Sequence, residues 1–427
     1  MSHVWRKMCN FVVMNVKITP PRHIAGTIVL PASKSISNRV LLLNALCKQP
    51  GTLHNLAQCD DTDAVLRALA NPSATEVNIG AAGTAMRFLT AYFATREGRT
   101  VTIDGSERMR QRPIGVLVDA LRSLGANIEY VASEGFPPLK ITGKRLAGGR
   151  LKIKGSVSSQ YITAILMIAP AIGGLELEIE GEIMSRPYIE MTLQLMRQYG
   201  VEAKWNGATI SVPVGEYQSQ NFTVEADWSA ASYWWALQAI VPQSQIVLKG
   251  LQEQSLQGDS RIATFMAQMG VTGSWNGDDL ALQSDGGANC CCSTFADLSG
   301  TPDIAQTLVV MLCLMGRPFR LTGLRTLRIK ETDRLEALRA ELKKLGYVVK
   351  IEGDDAISWH FETTTPELSA DGSIHIATYA DHRMAMAFAP AALRFPGLVI
   401  DDAQVVSKSY PLYWEHLKSV GFNVEER

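Results

Sequence analysis

Six stretches of this chain are apolar on nearly every residue for about three helical turns, and each opens on small or charged polar residues. The openings are Ser33-Lys34-Ser35, Gly83-Thr84, Ser158-Ser159-Gln160, Asp227-Trp228-Ser229, Thr301-Pro302-Asp303 and Asp381-His382-Arg383. Runs such as Ile162 to Ala169 and Leu308 to Met315 have no polar face, so they are expected to be buried helices at the centre of a core. Roughly 30 residues after each opening comes a second helix pattern, this one with a polar face, as in Glu336 to Lys344. Five of the second helices stop at Gly125, Gly200, Gly270, Gly346 and Gly421, spaced 75, 70, 76 and 75 residues apart. The sixth, Asp61 to Ala70, stops at Asn71-Pro72. Such regularity predicts one structural unit repeated six times: strand, motif helix, one or two strands, second helix, strand. In the third copy these are strand Leu151 to Ile153, helix Ser158 to Ala169, strand Leu175 to Ile179, helix Tyr188 to Tyr199 and strand Val201 to Trp205.

Buried helices with short sheets around them predict an α/β fold with sheets outside and helices inside. A chain of 427 residues exceeds one compact core, and six units divide into three plus three. Gly215 to Gln220, polar and glycine-containing, is the expected crossing between the halves. Phe11 to Ile18 reads as a strand spare in the first half and able to complete the second, with a crossing near Pro31. The expected domains are therefore 33–220, and 1–32 together with 221–427.

With 41 basic and 42 acidic residues the formal charge is -1, so no overall field draws the chain to nucleic acid or an anionic membrane. No signal peptide and no membrane-spanning run is read in the sequence. Seven cysteines, three of them consecutive at Cys290 to Cys292, give neither a disulfide framework nor a metal-ligand spacing. They read as free thiols of a cytoplasmic protein that holds no metal.

Helix openings leave unbonded N–H groups, so six of them form places where anions gather. Lys34 and Arg39 are positioned to flank a small anion, since cations at a helix N-terminus are disfavoured unless an anion joins them. Gly80-Ala-Ala-Gly83-Thr-Ala-Met-Arg87 lets backbone approach a ligand, and Arg108, Arg110 and Arg112 follow with planar forks suited to carboxylate or phosphate. Ser158, Ser159 and Gln160, with Ser185, Arg186 and Tyr188, suit phosphate oxygens and sugar-like hydroxyls, although capping accounts for Ser158 and Ser185 almost as well. The acids come later. Lys330-Glu331-Thr332-Asp333-Arg334 opens a helix, and Asp303, Asp381, His382, Arg383 and Lys408 complete a set fit for proton transfer beside an anion.

Pro31-Ala-Ser-Lys-Ser-Ile-Ser-Asn-Arg39, Gly83-Thr-Ala-Met-Arg87, Arg112-Pro113, Ser158-Ser-Gln160, Lys330-Glu-Thr-Asp-Arg334, Asp381-His-Arg383 and Lys408, in that order, closely resemble the motifs of the EPSP synthase family of enolpyruvyl transferases. The resemblance covers almost the whole chain. It implies the two-domain inside-out α/β barrel of that family, three βαβαββ units per domain, closing on substrate. It also implies transfer of the enolpyruvyl group of phosphoenolpyruvate to the 5-hydroxyl of shikimate 3-phosphate, by a monomer without a cofactor. Glyphosate would compete with phosphoenolpyruvate.

By the same resemblance, shikimate 3-phosphate is held by Lys34, Ser35, Arg39, Ser158, Ser159, Gln160, Ser185, Tyr188, Asp303 and Lys330. Phosphoenolpyruvate sits among Lys34, Gly83, Arg112, Gln160, Arg334, Arg383 and Lys408. Lys34, Asp303 and Glu331 run the proton transfers, their division left open, and Arg87, Asp381 and His382 support them. Ala81, Phe88, Arg186 and Thr326 depart from the family's usual asparagine, proline, lysine and asparagine. The related UDP-N-acetylglucosamine enolpyruvyl transferases would bring an arginine-rich loop with a mobile cysteine, which this sequence lacks. A binding module without turnover would have no use for Glu331 and Asp303 beside so many cations.

Overall fold

The computed structural model describes residues 14–286 and 293–427; Cys290 to Cys292 and the start of the expected Phe11 to Ile18 strand lie outside the described residues. All six apolar runs are helical and buried. Lys34–Leu46, Gly83–Ala94 and Ser159–Ile168 belong to one hydrophobic core; Trp228–Ile240, Ala305–Leu314 and His382–Phe388 belong to a second. Every residue of Ala305–Leu314 is buried, as its lack of a polar face requires. The second helices, such as Arg186–Gln198 and Arg334–Lys344, bury one stripe and expose the other.

Among the described residues six sheets surround these helices, five of four strands and one of two. Each contains one parallel pair, and four of those pairs bracket a motif helix in sequence, as Gly149–Lys154 and Leu175–Glu180 do around Ser159–Ile168. The other two pairs are assembled from distant segments. Ala25–Val29 runs parallel to Gln245–Lys249 of the second half, and Phe222–Thr223 parallel to Leu53–His54 of the first. Val16–Thr19 lies between Leu398–Ile400 and Asn423–Glu426.

The glycine stops behave as helix ends in the left-handed conformation, with φ of 85° at Gly200 and 92° at Gly346. One consequence corrects the third copy. The N–H of Val201 turns back to the carbonyl of Met196 and so closes the helix end rather than entering a ladder, and the strand that follows is Lys204–Asn206. The passage between cores also differs from the expected Gly215 to Gln220. Tyr217 and Val224 still pack in the first core, and the chain changes core at Glu225 to Asp227. There it runs antiparallel to Pro31 to Ser33: Ser33 N–H donates to Glu225 C=O and Asp227 N–H to Pro31 C=O, each at 2.8 Å. The Gln257 side chain laces both crossings, accepting from Ser33 Oγ and donating to Ala226 C=O. Among the described residues no helix is long and apolar enough to cross a membrane.

Candidate active site

Residues from all six helix openings line a single cleft between the two cores. Six N-termini converge there, so their dipoles add to the charge of the side chains, while caps such as Ser33, Asp227 and Asp381 take up some of the first N–H groups.

The wall from the first half carries cations and hydroxyls. Lys34 follows the cap Ser33, and its Nζ pairs with Asp61 at 3.2 Å. Burial is the largest influence and works to lower its pKa, but Asp61, Cys59 and Glu331 together more than offset it and hold the ammonium above its ordinary range. Arg39 lines the same cleft as Lys34 and is also bonded within the wall. It donates from Nε to Thr192 Oγ1 at 2.8 Å and through its η nitrogens to the Ser35 and Tyr188 carbonyls, tying two helices together. Arg87 and Arg112 enter the site; Arg87 braces the wall by donating to Gly83 and Pro113 carbonyls. Arg110 pairs with Asp104 on the surface instead. Exposed Arg108 reaches across the cleft, its Nε 2.9 Å from the Glu331 carbonyl.

Gly83 stands against Arg112: a Cβ on it would lie 2.7 Å from Nη1. Ser158 caps its helix through the Gln160 N–H at 3.4 Å, and Gln160 Nε2 reaches Thr84 Oγ1 at 3.1 Å. Ser185 does not cap. It sits at φ 55°, its N–H bonded to Ser299 C=O across the cleft, and its side chain lines the cavity. A left-handed serine without a capping bond is backbone strain at a candidate site.

The wall from the second half is a network of opposed charge. Arg334, 2% exposed, donates to Asp381 at 2.7 Å, Glu331 at 3.0 Å and Asp303 at 3.1 Å. Contrary to expectation, Lys330 to Thr332 do not open a helix; Asp333 caps Arg334–Lys344, and Glu331 sits in the preceding turn. That position lets its other oxygen accept from Lys408 Nζ at 2.7 Å, while Lys408 also donates to the Ala81 carbonyl of the first half. Arg112 Nη1 stands 3.8 Å from the same Glu331 oxygen.

Burial alone would raise the Glu331 carboxyl, but Lys408, Arg334 and Arg112 hold it well below the ordinary range. Burial is likewise overcome at Asp303, where Arg383, Lys330 and Arg334 keep the carboxyl ionised. Burial first, then Lys34, Arg383 and Lys408, push His382 well below its ordinary value, so its imidazole is neutral. Asp381 and Lys408 stand at the edge of the cavity lining, Asp381 bonded to Arg334 and Lys408 to Glu331.

Of the departures from pattern, Arg186 lies outside the cleft over Trp205, and Phe88 is a core residue. Thr326 faces the cavity with its hydroxyl unpartnered among the described residues. Asp61, Tyr161 and Ser229 also line the cleft. The opening at Asp227 marked Ser229, but nothing in the spacing marked Asp61 or Tyr161.

The family model for EPSP synthase (3-phosphoshikimate 1-carboxyvinyltransferase) matches residues 18–77 and 69–417. The chain belongs to the EPSP synthase family. A relative from Bacteroides fragilis (strain YCH46), named 3-phosphoshikimate 1-carboxyvinyltransferase, is 50% identical over 414 residues, which are 96% of this chain and 99% of the relative. One of the same name from Idiomarina loihiensis is 37% identical, covering 94% of this chain and 98% of its own. An EPSP synthase structure from Acinetobacter baumannii superposes with a TM-score of 0.75 at 21% identity, covering 97% of this chain and all of that one; it bears on the fold alone. The family's two-domain α/β architecture of repeated βαβαββ units is the one described above.

Proposed function

We propose that this chain is a 3-phosphoshikimate 1-carboxyvinyltransferase. It moves the enolpyruvyl group of phosphoenolpyruvate to the 5-hydroxyl of shikimate 3-phosphate and releases phosphate. The observation that carries the reading is Glu331: a buried carboxylate held among Lys408, Arg334 and Arg112 where two domains meet. Both substrates are anions, and such a cluster offsets their mutual repulsion in a cleft that excludes water.

In this reading Ser158, Ser159, Gln160, Ser185 and Tyr188 hold the phosphorylated ring, with Ser35, Arg39, Lys330 and Asp303 around it. Lys34, Arg112, Gln160, Arg334, Arg383 and Lys408 receive phosphoenolpyruvate over the bare Gly83. Arg87, Asp381 and His382 keep those groups in register. The 5-hydroxyl oxygen bonds to C2 while its proton passes to Asp303 and C3 gains a proton, giving a tetrahedral phospho-ketal that is not bonded to the enzyme. Loss of phosphate and of one C3 proton then forms the enol ether. Glu331 exchanges the C3 proton. An incoming phosphate and carboxylate share the cations that now hold Glu331 ionised, which raises its proton affinity toward the range needed to act as an acid. Lys34, kept as an ammonium by Asp61, serves as a cation and proton donor to the leaving phosphate.

We further propose two bodies that close on substrate, one on each side of the paired crossings at Pro31 to Ser33 and Glu225 to Asp227, which serve as the hinge. The reading extends to a monomer at work in the cytoplasm. The test is phosphate release measured with both substrates and with each alone. Release only when both are present supports the reading. No release, or release without shikimate 3-phosphate, overturns it.

A further inference from the structure

A carboxyl group that this scheme does not use stands directly behind Tyr188 and Asp303. Asp259 lies in the short turn Gly258–Arg261 and is 3% exposed. Its oxygens are 3.3 and 3.4 Å from the Tyr188 hydroxyl, and one also accepts from the Ser229 hydroxyl. Tyr188 Oη is at the same time 3.4 Å from Asp303 Oδ2. Arg383 Nη2 donates to Asp303 Oδ2 at 3.1 Å and reaches Ser229 Oγ at 3.3 Å. Asp259, Tyr188, Asp303, Arg383 and Ser229 thus close a ring.

Proton counting gives the ring two states. Tyr188 has one proton to donate and three carboxylate oxygens around it. An ionised Asp259 takes that hydrogen bond, so Asp303 Oδ2 keeps only its bond from Arg383 and has its second lone pair open to a donor from substrate. A protonated Asp259 donates its own proton to the Tyr188 oxygen, and Tyr188 then occupies Asp303 Oδ2.

We propose that Asp259 is a positioning residue for the transfer, acting through Tyr188 and Ser229 to set how readily Asp303 accepts the hydroxyl proton of the acceptor substrate. The proposal rests on the reading of Asp303 as that acceptor; Asp259 itself makes and breaks no bond. Two features of its surroundings make it responsive. Its neighbours in the ring are neutral hydroxyls, whereas Asp303 faces Arg383, Arg334 and Lys330. Burial and then the charge of Asp303 push the Asp259 carboxyl up to about 6, with Arg383 and Ser229 opposing and Asp227 adding to the rise. The groups facing it are Tyr188 from Arg186–Gln198, Asp227 and Ser229 at the start of Trp228–Ile240, Asp303 from Pro302–Ile304 and Arg383 from His382–Phe388. Within its own turn, Arg261 lies over Phe265.

The test is Asp259→Asn, which keeps shape and hydrogen bonding but cannot ionise, with kcat/KM for shikimate 3-phosphate followed across pH. The parent should exceed the variant by about tenfold near pH 8, equivalent to one unit of Asp303 basicity, and the ratio should approach unity below about pH 6. A ratio that stays the same at every pH marks a merely structural effect and overturns the proposal, as does no change at all. In a Tyr188→Phe background the Asp259→Asn step should have lost its pH-dependent effect. Should Asp259→Asn fail to fold, Tyr188→Phe alone must flatten the same acid limb, and an unaltered limb is a refutation. A parent that releases no phosphate at any pH contradicts the transferase reading instead, so the two failures are distinct.

Discussion

Gly83→Ala tests the fit of the proposed phosphoenolpyruvate subsite at one atom. The added Cβ would lie 2.7 Å from Arg112 Nη1, 3.0 Å from Nη2 and 3.1 Å from Cζ. Ordinary contact begins near 3.4 Å, so the guanidinium must retreat by 3.4 − 2.7, about 0.7 Å. The main chain beside it has little freedom, because the Pro113 carbonyl accepts from both Arg87 and Tyr161. The side chain must therefore swing, and its planar fork loses alignment with an anion. A hydrogen bond to a charged group is worth about 1.5 to 3 kcal/mol, so loss of one should raise KM for phosphoenolpyruvate about 10- to 100-fold. KM for shikimate 3-phosphate should stay within about twofold, since its proposed holders are on other helix openings. Steady-state kinetics with each substrate varied in turn reads both numbers. An unchanged KM for phosphoenolpyruvate, or an equal rise in both, would refute the assignment of Arg112 and Gly83 to that subsite.

Three further substitutions probe the rest of the site. Glu331→Gln should cut kcat by about 10² to 10⁴ while phosphoenolpyruvate binding, measured by calorimetry, is kept or tightened as a carboxylate leaves the anion's neighbourhood; an unchanged kcat would contradict its role. Asp259→Asn should make the protein more stable at pH 8. The folded carboxyl is raised from 3.8 to about 6, so the stability it contributes at low pH is lost as pH rises through that window, up to about 3 kcal/mol, and thermal melting at pH 8 should show a gain that is absent near pH 4. Arg108→Ala removes an exposed side chain whose Nε bonds the Glu331 carbonyl from the opposite domain. It should lower kcat/KM by about fivefold, one hydrogen bond's worth, with the melting temperature unchanged; a lower melting temperature and normal kinetics would reverse that assignment.

The repeat was legible because two local rules recur, the first in all six units and the second in five. A helix apolar on all sides has to be buried, and a helix that stops on a left-handed glycine announces its end, as at Gly200 and Gly346. Convergence of the six openings follows from the repeat, since equivalent ends of equivalent units face the same way. What escaped the sequence depends on tertiary contacts. Ser185 looks like a cap, and only its bond to Ser299 across the cleft fixes it at positive φ. Glu331 reads as the first turn of a helix, yet Asp333 is the better cap and takes the N–H groups of Leu335 and Glu336. Arg108, Arg110 and Arg112 look alike in sequence, but the short helix Glu107–Arg110 turns Arg110 to Asp104, while Arg108 and, just beyond the helix, Arg112 both reach Glu331. Asp259 had no signal, because its partners come from four other segments of the chain.

The central claim, addition followed by elimination through a protonated C3, is tested most directly by running the reaction in D2O and examining the vinyl carbon of the product by mass spectrometry and proton NMR. Addition converts the methylene of phosphoenolpyruvate to a freely turning methyl group carrying one solvent deuteron, and elimination then removes any one of the three hydrogens. The product is therefore expected to retain deuterium on its vinyl carbon, and phosphoenolpyruvate recovered before completion should carry some as well if addition reverses. Normal turnover with no deuterium in the product's vinyl group would mean that C3 is never protonated, and would contradict the mechanism built on Glu331.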